Sequence, residues 1–285
     1  MKNLLICCIL FALFTGCNRR QQTLVVSESD SVAVTIVDTL AEDTLAELFI
    51  SPVEEKVFFG RDGLFEEFLY EFFVDSVMQM HRIHFPLSYS CKGKELLLDE
   101  KKWSSSELFT LTDIYHTLVE RDAEMEIERD TAVTKADLDC IDMQSGVVRT
   151  FCFEKQGGHW FLLHVIEQEV KSYKHRDFYR FYYRFVNDSL YQSLHVNDPM
   201  TFVTVDPEDE FSILEANIDM EQWFAFQPML PEHLLVNIDY GVKPSRRPKR
   251  KILTCKSMGE NFSTTSYFRL IDGEWMLTRF EDVSN

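Results

Sequence analysis

The stretch FEEFLYEFFVDSVMQ, residues 65–79, decides the fold, because a close variant of it, FYRFYYRFVNDSLYQ, returns at residues 178–192. In the first copy Phe65, Phe68, Leu69 and Phe72 fall at i, i+3, i+4 and i+7, with Glu66, Glu67, Glu71 and Asp75 on the other side. This spacing gathers the rings on one stripe of a helix and turns the carboxylates to water. Phe178, Phe181, Tyr182 and Phe185 repeat the stripe. Pro86 and Pro199 mark the exit from each helical segment.

The likeness continues downstream. Leu138, Cys140, Met143, Thr150, Phe153, Gly158, Trp160 and Leu162 match Leu253, Cys255, Met258, Thr265, Phe268, Gly273, Trp275 and Leu277 in the same order. A collinear match of uncommon residue types points to duplication of a unit of domain size. The segments MEIE, ADLDCIDM, VVRTFCFE and HWFLLHVIE read as strands in the first copy. LLVNID, KILTCKS, TTSYFRL and EWMLTRFED read so in the second. Gly157-Gly158 and Asp272-Gly273 supply hairpin turns. The expected class is therefore α+β: two tandem cone-like domains, 56–172 and 173–285, each with an aromatic-rich helix packed on a curved antiparallel sheet. The rings fill the hollow of that sheet.

The first residues read differently. MKNLLICCILFALFTGC has one early charge, Lys2, then an apolar run of signal-peptide length, too short to span a bilayer. Its end, Leu13-Phe14-Thr15-Gly16-Cys17, resembles the lipobox of bacterial lipoproteins. That resemblance implies removal of residues 1–16 and lipidation of Cys17, with Phe14 bulkier than usual. Residues 17–55 are rich in Ser, Thr, Asp and Glu and read as a flexible acidic tether. Arg19 and Arg20 follow the cysteine where surface-exported lipoproteins of Bacteroides-type bacteria carry acids. The expected location is thus the cell envelope, anchored by lipid and facing the periplasm.

A net charge of −18 repels a phosphate backbone, so nucleic acid is excluded as the main partner. Against that background Lys243, Arg246, Arg247, Lys249, Arg250 and Lys251 form a dense basic run. It reads as an exposed hairpin loop, either balancing acidic surroundings or meeting an anionic partner such as a lipid head group or an acidic envelope protein. Of 7 cysteines, Cys140 and Cys152 flank a turn at Gln144-Ser145-Gly146 and would face each other as a disulfide or stay as buried thiols. His81 and His84 are spaced for a shared metal or for a solvated helix end. No Cys/His zinc spacing, nucleotide loop or nucleophile motif occurs, so no metal or cofactor is expected. Trp160 and Trp275 each follow a hairpin turn, as core or rim residues or as stacking platforms for a small-molecule ligand.

The leading aromatic helix, the strand-rich second half and the unit length resemble the nuclear transport factor 2-like cone fold. The tandem form behind a lipoprotein signal is similar to uncharacterised Bacteroides-type lipoproteins grouped as a domain of unknown function. The resemblance implies a cone cavity in which Tyr70 and Tyr183 join Trp160 and Trp275 as pocket residues. It also offers Asp75 and Asp188 as cavity acids of an isomerase- or dehydratase-like enzyme. The favoured reading is a non-catalytic ligand- or partner-binding module, with that enzyme or an envelope-complex assembly protein as alternatives.

Overall fold

The computed structural model describes residues 60–104, 114–228, 230–258 and 262–284. The stretches expected to be signal segment and tether, with Cys17, lie outside them. The first half runs α1 (Phe65–Val74), α2 (Ser76–His81), β1 (Ile83–Cys91), β2 (Lys94–Leu98), α3 (Glu100–Ser104), β3 (Ile114–Val119), a 3-10 helix (Asp122–Arg129), β4 (Lys135–Asp142), β5 (Val147–Gln156) and β6 (His159–Glu169). The second runs α4 (Arg176–Asn187), α5 (Ser189–Leu194), β7 (Val196–Asp206), β8 (Asp209–Ile218), α6 (Met220–Phe226), β9 (Leu234–Asp239), β10 (Arg250–Ser257), β11 (Ser263–Ile271) and β12 (Glu274–Asp282). None of the described helices is long and apolar enough to cross a membrane.

The 12 strands of the described residues form one sheet in the order β2-β1-β6-β5-β4-β9-β3-β10-β11-β12-β7-β8. Read outward from its centre, the sheet meets corresponding strands of the two halves in the same sequence. The centre itself is crossed. β9 pairs with β4 of the first half, and β3 pairs with β10 of the second. The two exchanged strands touch each other in parallel, His116 opposite Asn237. Residues 57–285 accordingly make one compact unit.

Alternation along the central strands serves two cores at once, because successive side chains of a strand point to opposite faces. Tyr115, Leu138, Val236 and Ile238 join the core under α1, whereas Leu118, Ile141 and Leu235 join the core under α4. The two long helices therefore lie on opposite faces of the sheet. Each core borrows from the other half, so neither helix is wrapped by its own strands alone.

The aromatic stripes do what their spacing demands. Phe65, Phe68 and Phe72 pack on Phe153 with ring centroids 5.3, 5.8 and 5.4 Å apart. Phe178, Phe181 and Phe185 pack on Phe268 at 5.4, 5.6 and 5.6 Å. Edge-on ring packing of this kind fills wide gaps with directional contacts. Pro86 and Pro199 lie inside β1 and β7, beyond the helix ends at His81 and Leu194. Both fall where the ladder to β6 or β12 skips, so the missing N–H deprives no partner. Asp272 and Gly273 both have positive φ, 51° and 91°, as a two-residue hairpin turn requires.

Candidate functional site

The exchange of β3 and β9 creates the setting of the site. To reach β10 from β9 the chain must pass over the end of β3, and residues 240–249 make that crossing. The basic run is thus a crossover and not the hairpin loop expected from its flanking strands. It meets the acidic start of the other crossover. Lys251 Nζ lies 2.9 Å from Glu120 Oε1, Ser245 N donates to Glu120 Oε2 at 3.1 Å, and Arg250 pairs with Asp122. Burial alone would raise the Glu120 pKa, but the hydrogen bonds from Ser245 and Lys251 outweigh it and hold it below the usual carboxylate range. Burial pushes Lys251 down, and Glu120 partly restores it. Two of the six cations are therefore structural, while Lys243, Arg246, Arg247 and Lys249 remain exposed.

The crossover roofs a cleft of about 230 Å³ at the head of α4. Phe178 and Trp275 line it, and Pro244 and Pro248 bound it. Trp275 begins β12 just after the Asp272-Gly273 turn and meets Phe178 edge-on at 5.6 Å. Lys174, Arg176, Arg246 and Lys251 bring four cations to the lining, against one carboxylate, Asp177. Lys174 is paired with Asp239 from β9. His175 lies 3.3 Å from Lys251 Nζ, and burial with the neighbouring cations pushes its pKa down to about 3, so it is a neutral ring.

The matching place in the first half is built oppositely. Trp160 is 1% exposed, packed 4.8 Å from Phe65. Asp62 seals it, accepting from Trp160 N at 2.6 Å and pairing with both terminal nitrogens of Arg82 at 2.9 and 3.0 Å. The cleft beside this seal, about 240 Å³, is lined by Asp62, Glu67 and Glu71 with Arg61 and Arg82. That cleft carries three carboxylates against two cations, and Trp160 does not line it. A further hollow of about 460 Å³ lies at the far end of α4, where Asn187, Ser189, Gln192 and Phe224 line it with mainly neutral groups.

Other residues singled out from sequence fall elsewhere. Tyr70 is 46% exposed on the outer side of α1, and Tyr183 is half-buried with its ring 6.4 Å from His233; neither lines the cationic cleft. Asp75 and Asp188 are helix N-caps: Asp75 Oδ1 accepts from Val77 N and Met78 N, and Asp188 Oδ1 from Tyr191 N. Their recurrence reflects a repeated cap, and neither points into a cavity core. Cys140 and Cys152 are free thiols on the β4–β5 hairpin, but the register places Cys140 opposite Arg149 and Cys152 opposite Asp137, so they do not face each other. His81 ends α2 while His84 lies in β1 with its ring 4.9 Å from Phe161. Among the described residues no three His, Cys, Asp or Glu side chains gather as a metal site.

One polar constellation escaped the sequence reading. His116 Nε2 and Tyr179 Oη are 2.8 Å apart, and Asp139 accepts from Thr150 at 2.6 Å, Tyr173 at 2.5 Å and Asn237 at 3.3 Å. These residues join β3, β4, β5, β9 and α4, and each is at least nine-tenths buried. Burial drives His116 down to about 3, so it is neutral and serves as a hydrogen-bonding strut at the joint. Its only local signal is an acidic side chain within a strand pattern, ADLDCID, where acids are uncommon.

A search of curated proteins finds no match. Among solved structures, a crystal structure of a nuclear transport factor 2-like protein from Bacteroides fragilis NCTC 9343 is similar, at 36% identity and a TM-score of 0.71. The similarity covers 78% of this chain and 96% of that one. This supports a nuclear transport factor 2-like fold, here with mixed helices and strands on one large curved sheet. Residues 42–282 match the family model described as Domain of unknown function (DUF4348), and the chain belongs to that family.

Proposed function

We propose that the protein is a non-catalytic binding module of the bacterial cell envelope, made by duplication of a nuclear transport factor 2-like unit. Cys17 carries the lipid, residues 17–55 act as tether, and the folded part faces the periplasm. Its ligand enters the cleft beside Trp275. The observation that carries this reading is the contrast between the two related tryptophans. Trp160 is sealed behind the Asp62–Arg82 pair, while Trp275 is only partly buried and lines a cationic cleft. A partly exposed ring over a concave floor is the usual anchor of a small ligand. The duplicated acids that a cone-fold enzyme would need are occupied as helix caps.

The test is a thermal-shift screen of small polar and anionic compounds on the wild-type chain and on Trp275→Ala. Compounds that stabilise the wild type should lose their effect in the variant and emerge chemically unchanged. Turnover of a hit that disappears in Asp75→Ala or Asp188→Ala would replace the binding reading with an enzymatic one. The anchor is checked separately by labelling cells with a radioactive fatty acid. Label should enter the wild-type protein and be absent from Cys17→Ser.

A further inference from the structure

The charge pattern of the Trp275 cleft narrows its ligand. Building on the binding reading above, we infer that the cleft takes a phosphate group attached to a ring or similarly compact apolar body, with the phosphate on Arg176 and Arg246 and the body against Trp275.

Lys174 and Lys251 are already matched by Asp239 and Glu120. Arg176 and Arg246 are the lining cations without such a buried partner. Arg176 is 3.8 Å from Asp177, but that carboxylate is itself 76% exposed and lies 3.2 Å from Arg180. Two guanidinium groups at one mouth present forked donors that suit the several oxygens and the double charge of a phosphate better than a single carboxylate. Lys243, Arg247 and Lys249 extend the positive potential along the rim, so an incoming anion is steered there in a protein that elsewhere repels it. The amino end of α4, 12 residues long, opens at the same place, and its cap residue His175 offers no side-chain acceptor to the first-turn N–H groups. That adds a favourable partial charge to the cationic lining.

Size supplies the second limit. A cleft of about 230 Å³ offers room for a phosphate and one ring. The partly buried Trp275 and the edge of Phe178 form the apolar side, which suits the face of a sugar ring or the first carbons of a headgroup. The first half provides an internal contrast, since its corresponding tryptophan, Trp160, is covered.

A soluble phosphorylated compound and a lipid headgroup share this chemistry, and the experiment separates them. The full chain carrying Cys17→Ser is titrated, in a phosphate-free buffer, with glucose 6-phosphate, inorganic phosphate and glucose while tryptophan fluorescence is followed. It is also mixed with phosphatidylcholine vesicles with and without phosphatidylglycerol. The expected result is saturable binding of glucose 6-phosphate, or of the phosphatidylglycerol vesicles over the neutral ones, that Arg246→Glu weakens about tenfold. Lys102→Glu, on α3 of the other half, should leave it unchanged. Binding of the soluble phosphate assigns a free metabolite, and binding of the anionic vesicles alone assigns a headgroup. Glucose bound as tightly as glucose 6-phosphate would overturn the phosphate assignment while keeping the cleft as a ligand site. Binding indifferent to Arg246→Glu, or no binding by any of these anions, would overturn it as well.

Discussion

Lys251 on β10 and Glu120 at the end of β3 meet at 2.9 Å, although 131 residues separate them along the chain. Their side chains are 3% and 12% exposed, so the pair is taken out of water together. It also ties the exchanged strand of the first half to the crossover of the second. Removing the cation would strand a buried carboxylate, at a cost of about 3–5 kcal/mol. Lys251→Met should therefore lower the denaturant midpoint strongly. Arg247→Ser, in the exposed part of the same basic run, should stay within about 0.5 kcal/mol of wild type. Equal effects of the two substitutions in chemical unfolding would contradict the distinction drawn between structural and free cations.

The exchange of β3 and β9 makes each core depend on the other. Val236 and Ile238 complete the core under α1, and Leu118 and Ile141 complete the core under α4. Neither half can open without stripping the other, so differential scanning calorimetry should record one transition whose calorimetric and van't Hoff enthalpies agree. Two resolved transitions would show that the halves behave as separate domains.

Acid should destabilise the fold through its buried histidines. His116 and His175 have pKa values pushed down to about 3, below the ordinary value of 6.5 in the unfolded chain. Between those limits the unfolded state binds more protons, so stability is complete above about pH 6.5 and falls as the pH drops toward 3. Each histidine contributes a slope of at most about 1.4 kcal/mol per pH unit. His116→Phe should flatten the decline in urea midpoint between about pH 6 and 4. An unchanged slope would mean that His116 is not the neutral strut described.

Phe153 and Phe268 are the anvils on which the two aromatic stripes sit, and both are almost fully buried. Truncation of either to alanine should cost about 3–5 kcal/mol, because it removes a ring and leaves a cavity bounded by three others. Tyr70→Ala, on the exposed side of α1, should change stability by no more than about 0.5 kcal/mol. Urea titration of the three variants checks the order.

The thiols should be inert in the native state. Burial pushes Cys140 and Cys255 up to about 12 and raises Cys152 as well, so little thiolate is present at neutral pH. Alkylation followed by peptide mass spectrometry should leave these three unmodified in the folded chain. All should react in denaturant without a reducing agent. A Cys140–Cys152 peptide pair that reacts only after reduction would contradict the register of the β4–β5 hairpin.

Much of the fold was legible because its signals are local. The stripe Phe65, Phe68, Leu69, Phe72 needs only its own spacing to form a buried helix face, and Asp272-Gly273 needs only its own φ angles to reverse the chain. The repeated order of residues was visible without coordinates. What stayed hidden was partner choice. β3 and β9 are buried on both faces, so their composition demands a central position without saying which strands flank it. Only the folded chain decided that they change places, and two consequences came with that decision. The basic run became a crossover, and two of its cations were consumed by acids from the other half. Spacing within a segment is enforced by the geometry of its own backbone, whereas pairing between segments is settled by which arrangement buries both faces and satisfies both charges at once.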